Sequence, residues 1–424
     1  MTPPTVSRPA EHRPDAPRAR FRHRRPGALA ASAPAASGRA QWADAAKGVC
    51  IILVVLWHVV VKDYLQIDWR LGVPVPGLWG ALGEQFLPLR MPLFFTISGL
   101  FAANAVARPW RSVARSRVAG FLYLYALWLL IHTVVLAVAP GFPTDRATSA
   151  LGLLEQLTIT PSNLWYLYAL ALYFTLAKVL RRAPRTLVLV PAALLSAVTA
   201  AGLLDTPGNR AGLYQNLIFF LAGLHLRPQI ERWAATATRR RLALTSGAYA
   251  VALAAMAAAG AQRWFGVWPA VSVVAVAFGI TAAARLCRWR ALSDRLAVLG
   301  RITLPVYVIH MPVLALLHRL LHGPISGLDE AHQASVVLGY PILLTGLVIG
   351  LSLALHRALL AMRARWLFAL PGPRHATAPR EARTDAAPRE ARTDAAPHRA
   401  CTETASRGAR AEAVPQGVRA EVAG

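Results

Sequence analysis

Charge is scarce in this sequence. Charged side chains make up 16% of it, against about 25% in an ordinary soluble domain. Acidic residues are scarcer still, with 20 Asp and Glu against 46 Lys and Arg among 424 residues. Cysteine occurs three times, at Cys50, Cys287 and Cys401, far apart and without the spacing of a metal or redox motif. No structural disulfide, no metal centre and no tightly bound cofactor is therefore expected. Neither a Gly-rich phosphate loop nor a dinucleotide fingerprint is present, and no Ser–His–Asp signature is seen. A cleavable signal peptide is missing too: the first apolar run starts near Gly48 behind a long basic leader, and Lys62 and Asp63 follow it.

Hydrophobic side chains, in contrast, make up 55% of the chain. They fall into ten runs, near 46–64, 86–106, 118–139, 163–180, 186–204, 212–227, 242–260, 264–285, 302–321 and 335–360. Each run is predicted to be a helix, because open strands leave backbone groups unsatisfied in hydrocarbon. The expected fold is an all-α polytopic membrane bundle of about ten transmembrane helices over residues 41–362, between basic tails. Residues 1–40 and 371–424 read as disordered, rich in Pro, Ala and Arg with few large apolar residues. The second tail carries a tandem nine-residue repeat, Ala378 to Ala386 and Ala387 to Ala395.

The net charge of +26 does not point to nucleic acid, because its arginines sit in tails and at helix ends, where anionic lipid headgroups meet the chain. Their distribution alternates. The even-numbered breaks hold Arg108, Arg111, Arg115 and Arg117; Lys178, Arg181, Arg182 and Arg185; Arg227, Arg232 and Arg239 to Arg241; and Arg285, Arg288, Arg290, Arg295 and Arg301. The odd-numbered breaks hold at most one Lys or Arg each: Arg70, Arg146, Arg210 and Arg263. This positive-inside pattern predicts both termini on the cytoplasmic side. Heavy use of Ala, Arg and Pro suggests a bacterial source, hence a bacterial cytoplasmic membrane.

Ionisable side chains within such helices are costly and need a partner or a function. Lys47 and His58 lie eleven residues apart, which returns to nearly the same helix face about 16 Å further on. Lys47 is expected near the cytoplasmic surface and His58 beyond the midplane, both lining one internal cavity. Taken alone, Lys47 reads as an interfacial anchor and Asp44 as an N-cap. A histidine can take and return a proton near neutral pH, as a general base must, or can be a packed core residue. Arg90 enters the outer half of the membrane at comparable depth, where its guanidinium can bind a carboxylate, carbonyl or phosphate or snorkel to headgroups. Ser98 and Gly99 suit close helix approach. Trp165, in Asn163-Leu164-Trp165-Tyr166, fits an aromatic interface anchor. Tyr307 and His310 share a helix face, and Pro305 and Pro312 predict irregular backbone there.

Taken in order, these segments resemble the acyltransferase 3 family of bacterial membrane O-acyltransferases. The resemblance rests on Asp44-Ala45-Ala46-Lys47-Gly48 leading to Trp57-His58, on Arg90-Met91-Pro92-Leu93-Phe94-Phe95-Thr96-Ile97-Ser98-Gly99, on Asn163 to Leu167, and on Leu304 to His310. It covers about residues 41–360, and Lys47 stands where many members carry arginine. It implies transfer of an acyl group, usually acetyl, from acyl-CoA to a hydroxyl on an envelope glycan, a lipid or an exported small molecule. By the same resemblance His58 is the catalytic base or a transient acyl carrier, and Lys47 and Arg90 are charge partners for donor or acceptor. Trp165, Tyr307 and His310 are then substrate-binding candidates. A water-accessible tunnel through the bundle is expected to bring the reactants to His58. The alternatives are a proton-coupled secondary transporter or exporter, which intramembrane His and Arg would also suit, and a scaffold acting through its tails.

Overall fold

The structure is a computed structural model that describes residues 38–72 and 74–371. The readings made for the two tails, including the tandem repeat, fall almost wholly outside the described residues. Within these, every regular element is helical. A helix satisfies its backbone groups internally, which hydrocarbon demands.

All ten apolar runs fall on helices: α1 (Gly38–Lys62), α2 (Leu87–Ala107), α3 (Gly120–Ala137), α4 (Trp165–Val179), α5 (Arg185–Ala200), α6 (Leu217–His225), α7 (Arg239–Ala258), α8 (Val267–Leu286), α9 (Thr303–Ser326) and α10 (Tyr340–Ala361). Seven of them, α1 to α3 and α7 to α10, belong to segments long and apolar enough to cross a membrane. The remaining three have 15, 16 and 9 residues, about 23, 24 and 14 Å at 1.5 Å per residue. The protein is thus an all-α, multi-pass membrane bundle. In the α9 span 61% of the apolar window is buried, against 6% in α7. The interior is therefore built around α9, α1 and α2, while α7 lies at the periphery.

Apolar burial alone does not hold such helices together, since lipid tails are as apolar as leucine; small residues that let backbones approach do. Gly99 of α2 lies against the Phe220 carbonyl of α6, and Gly223 of α6 lies against the Thr96 carbonyl of α2. A Cβ at either position would overlap that carbonyl. The same device joins α1 to the amphipathic helix Arg290–Arg301, where Gly48 faces the Leu296 carbonyl and Gly300 the Asp44 carbonyl.

Two local expectations are corrected. Asp44 does not cap α1, because the helix already begins at Gly38. Its early turns extend over helix Arg290–Arg301, with Asp44 3.7 Å from Arg301 and Gln41 Nε2 donating to Asp294 Oδ1 at 2.6 Å. Nor is the irregular backbone expected at Pro305 and Pro312 seen, since α9 runs as one helix from Thr303 to Ser326. Pro305 falls in the first turn, where no N–H is needed. Pro312 cannot donate to the Val308 carbonyl four residues earlier. His132 of α3, buried, donates its Nε2–H to that carbonyl at 2.8 Å. The missing backbone bond is thereby replaced from a neighbouring helix.

The basic breaks gather at one end of the bundle. Lys178 Nζ donates to the Val106 carbonyl at 2.8 Å and also to that of Arg108, and Arg227 reaches Asn104 at 3.2 Å. At the opposite end Lys62 Nζ donates to the Pro143 carbonyl at 2.5 Å, and the Tyr64 hydroxyl donates to the Val337 carbonyl at 3.0 Å. Helices α1 and α9 both run from the basic end to this one.

Replacing Gly223 by Leu is expected to destabilise the protein by roughly 1–3 kcal/mol, the cost of an overpacked contact, read as a lower thermal midpoint in detergent. Gly247→Leu, where a side chain meets open space, should leave it unchanged. His132→Ala should cost about 1–3 kcal/mol by stranding the Val308 carbonyl.

Candidate active site

The centre of the bundle holds two imidazoles. His58, in the last third of α1, and His310, two turns into α9, approach with His58 Nδ1 and His310 Nε2 3.0 Å apart. Their rings lie at 5.1 Å between centroids with 30° between planes. His310 is almost wholly buried and His58 half-buried.

The tautomers follow from the acceptors. His310 Nδ1 lies 2.7 Å from the Tyr307 carbonyl and 3.1 Å from that of Val306. A nitrogen facing two carbonyl oxygens must carry the proton. In the neutral ring His310 Nε2 then holds a lone pair, so His58 Nδ1 donates to it. The free lone pair of the pair is thus at His58 Nε2, the form a general base requires. Backbone carbonyls of α9 set this polarity from one end of the chain of bonds.

Arg90 lies beside this pair, buried near the start of α2, with its guanidinium 4.7 Å from the centroid of the Trp57 ring. Among the described residues it forms no ion pair. A small void of about 20 Å³ lies between Arg90, Trp57, Trp79 and Phe86. The buried Trp79 indole N–H has no partner among the described residues. Arg90 is therefore a charge kept in the interior by stacking, with its N–H donors available to a ligand.

Lys47 sits at the basic end of α1, over the Phe101 ring at 5.6 Å. It lines a cavity of about 240 Å³ with Arg117, Arg301, Ser98, Tyr166 and Tyr307. Three cationic side chains and several aromatic rings make this space suited to an anionic ligand with a flat or apolar portion. The cavity ends at Tyr166 and Tyr307, whose rings meet edge to face at 5.4 Å. Backbone bonds fix both: the Tyr307 hydroxyl donates to the Asn163 carbonyl at 3.0 Å and accepts the Tyr166 N–H at 3.3 Å. The Tyr166 hydroxyl is 2.9 Å from Ser98 Oγ. Since Ser98 Oγ donates to the Phe94 carbonyl at 2.8 Å, the tyrosine supplies the proton between them.

Among the described residues, the Lys47 cavity does not extend as far as the imidazole pair. Neither His58, His310 nor Arg90 lines the Lys47 cavity; the Tyr166–Tyr307 wall stands between, with His310 one turn beyond Tyr307 and 6.0 Å from it by centroid. Trp165 lines neither space. It packs on Phe95 at 5.9 Å and over the backbone of Gly212. Three site residues were missed from sequence. Arg117 and Arg301 looked like ordinary topology-setting arginines, and Tyr166 was passed over for its neighbour Trp165. A phenol one residue inside a helix start was the available signal.

Fold and site together define a polytopic helical membrane protein with a buried ionisable centre beside a cationic cavity. A family model described as an acyltransferase domain matches residues 40–357; the chain belongs to the acyltransferase 3 family. The chain is also similar to the inner membrane protein YcfT of Escherichia coli (strain K12), with 28% identity over 156 residues. That alignment takes in 33% of this chain and 44% of the relative, so the chain spans less than half of that protein's length. No solved structure matches.

If the cavity is open to water at its basic end, Ser98→Cys in a chain with Cys50, Cys287 and Cys401 replaced by serine should react with a small charged maleimide. Leu93→Cys, buried outside the cavity, should resist it. Equal labelling of the two would show that the cavity is not the route of entry.

Proposed function

We propose that this protein is a membrane O-acyltransferase. It moves an acyl group, acetyl in the favoured case, from acyl-CoA to a hydroxyl of an envelope glycan, a glycolipid or an exported small molecule. The observation that carries this reading is the ordered imidazole pair, which leaves His58 Nε2 as an acceptor at the heart of a chain from an acyltransferase family.

In this reading the donor enters from the basic end, which faces the cytoplasm of a bacterial cell in the cytoplasmic membrane, with both termini on that side. The phosphates of CoA are held by Lys47, Arg117 and Arg301, which present positive charge in a partly enclosed space. The pantetheine arm points toward Tyr166 and Tyr307, and those two rings part to let the thioester reach His58. The acceptor approaches from the opposite end. His58 Nε2 takes the proton of its hydroxyl as the oxygen attacks the thioester carbonyl. The C–O bond forms, the C–S bond breaks, and the proton passes to the departing thiolate. Arg90 faces the negative charge that develops on the carbonyl oxygen, where a fixed cation in a dry site acts most strongly. Protonation of His58 removes the lone pair, so the rate falls on acidification.

A proton-coupled exporter is the second reading, favoured only by the same histidine pair, which could pass a proton along its hydrogen bond. The two differ in what they consume. Reconstituted enzyme releases free CoA when donor and acceptor are both supplied; an exporter moves intact substrate without CoA release.

His58→Ala is expected to lower acyl transfer by about 10²- to 10⁴-fold, the usual contribution of a general base, with the protein still folded and inserted. Full CoA release by that variant would remove His58 from the mechanism. His310→Ala should lower kcat with little change in the KM for acyl-CoA, because it loses the tautomer control and not the donor site.

A further inference from the structure

The end of the bundle away from the basic cavity carries a second ordered pair of imidazoles. His318 and His322 lie four residues apart on α9, hence on one face, with ring centroids 4.9 Å apart. Each ring has one nitrogen committed. His318 Nδ1 is 2.8 Å from Asp63 Oδ1. That carboxylate is wholly buried and takes the Tyr340 hydroxyl on its other oxygen at 2.8 Å. It can only accept, so His318 Nδ1 carries the proton. His322 Nε2 is 2.9 Å from the Gln66 carbonyl and likewise donates. Both committed nitrogens face the segment Asp63–Gln66 that follows α1. In a neutral imidazole the other nitrogen holds a lone pair and points to the far side of the ring. Both histidines line a cavity of about 620 Å³ together with the turn Ala137–Phe142 and Arg319, whose guanidinium is engaged with the Val138 carbonyl, and neither Asp63 nor Gln66 lines it.

We infer that His318 and His322 form a binding site for a divalent transition-metal ion of the zinc class. Two imidazoles at i and i+4 on a helix are a spacing that holds zinc. A ligating histidine donates its other N–H to a carboxylate or a backbone carbonyl, which orients the ring and strengthens the donor nitrogen. Here one histidine has each kind of partner, prepared by a segment distant in sequence. Imidazole nitrogen selects zinc, copper or nickel over calcium and magnesium, which prefer oxygen. Among the described residues no cluster of three or more His, Cys, Asp or Glu is placed to hold a metal. The protein thus supplies two ligands and leaves the other positions to water or to an oxygen of a second ligand in the cavity. The site is open and exchangeable. Cysteine spacing could not have shown it, since its ligands are histidines and their partners lie on another helix.

The test is binding, read without any activity. Zn²⁺ is titrated into untagged full-length protein in detergent, in competition with a chromophoric chelator. The expected result is one saturable ion per chain at this site. Affinity should weaken by about tenfold or more in His318→Gln and in His322→Gln, and by about tenfold in Asp63→Asn, as for a partner that orients a ligand. His332→Gln, which removes an exposed histidine beside Asp329, should bind as the parent does. Because His318 is buried and its variant can lose the fold, His322→Gln, at a half-buried position, decides the matter. Absence of saturable binding in the parent, or unweakened binding in His322→Gln, would overturn the assignment.

Discussion

The hydrogen bond between His58 and His310 is the constraint on which the site depends. It joins α1 to α9, the helices around which the interior is packed, and it works only because the rings stand at the right depth and in the right tautomers. Both conditions come from backbone. Depth is set by the close approach of α1 to helix Arg290–Arg301 at Gly48 and Gly300, which runs into α9 one residue later. Tautomer is set by the Val306 and Tyr307 carbonyls. In water such a bond would contribute little. In the interior, where His310 is buried, reversing it would leave a carbonyl facing a lone pair.

A second consequence of the dry setting is that polar groups are supplied across helices wherever a helix cannot supply its own. His132 replaces the donor that Pro312 lacks, Lys178 caps the end of α2, and Tyr307 ties α9 to the entry of α4 at Asn163 and Tyr166. The last of these has a functional side. The same phenol that secures two helices also lines the Lys47 cavity, one turn from His310.

Much of the fold was legible because hydrophobic length and charge alternation report directly on the lipid solvent. Ten apolar runs became ten helices, and the basic breaks gathered at one end. Helix starts were less legible. Asp44 has the chemistry of an N-cap, but the tertiary contact with helix Arg290–Arg301 extends α1 past it. Pro312 has the chemistry of a helix break, but a histidine from another helix relieves it. In both cases a local rule was overridden by a partner that the local sequence does not contain.

What the sequence by itself determined is the solvent of this protein, its helical class, and the short inventory of side chains too polar to sit in lipid without reason: Lys47, His58, Arg90 and His310. Period and spacing suffice for that, because they are properties of one helix at a time. Only the tertiary structure decided which of these meet. It paired His58 with His310, left Lys47 in a separate cavity behind two tyrosines, moved Trp165 into packing, and brought Arg117, Arg301 and Tyr166 to the cavity wall. The physical reason is that rotation and depth of one helix against another depend on backbone contacts between small residues far apart in the chain, and no single stretch of sequence encodes them.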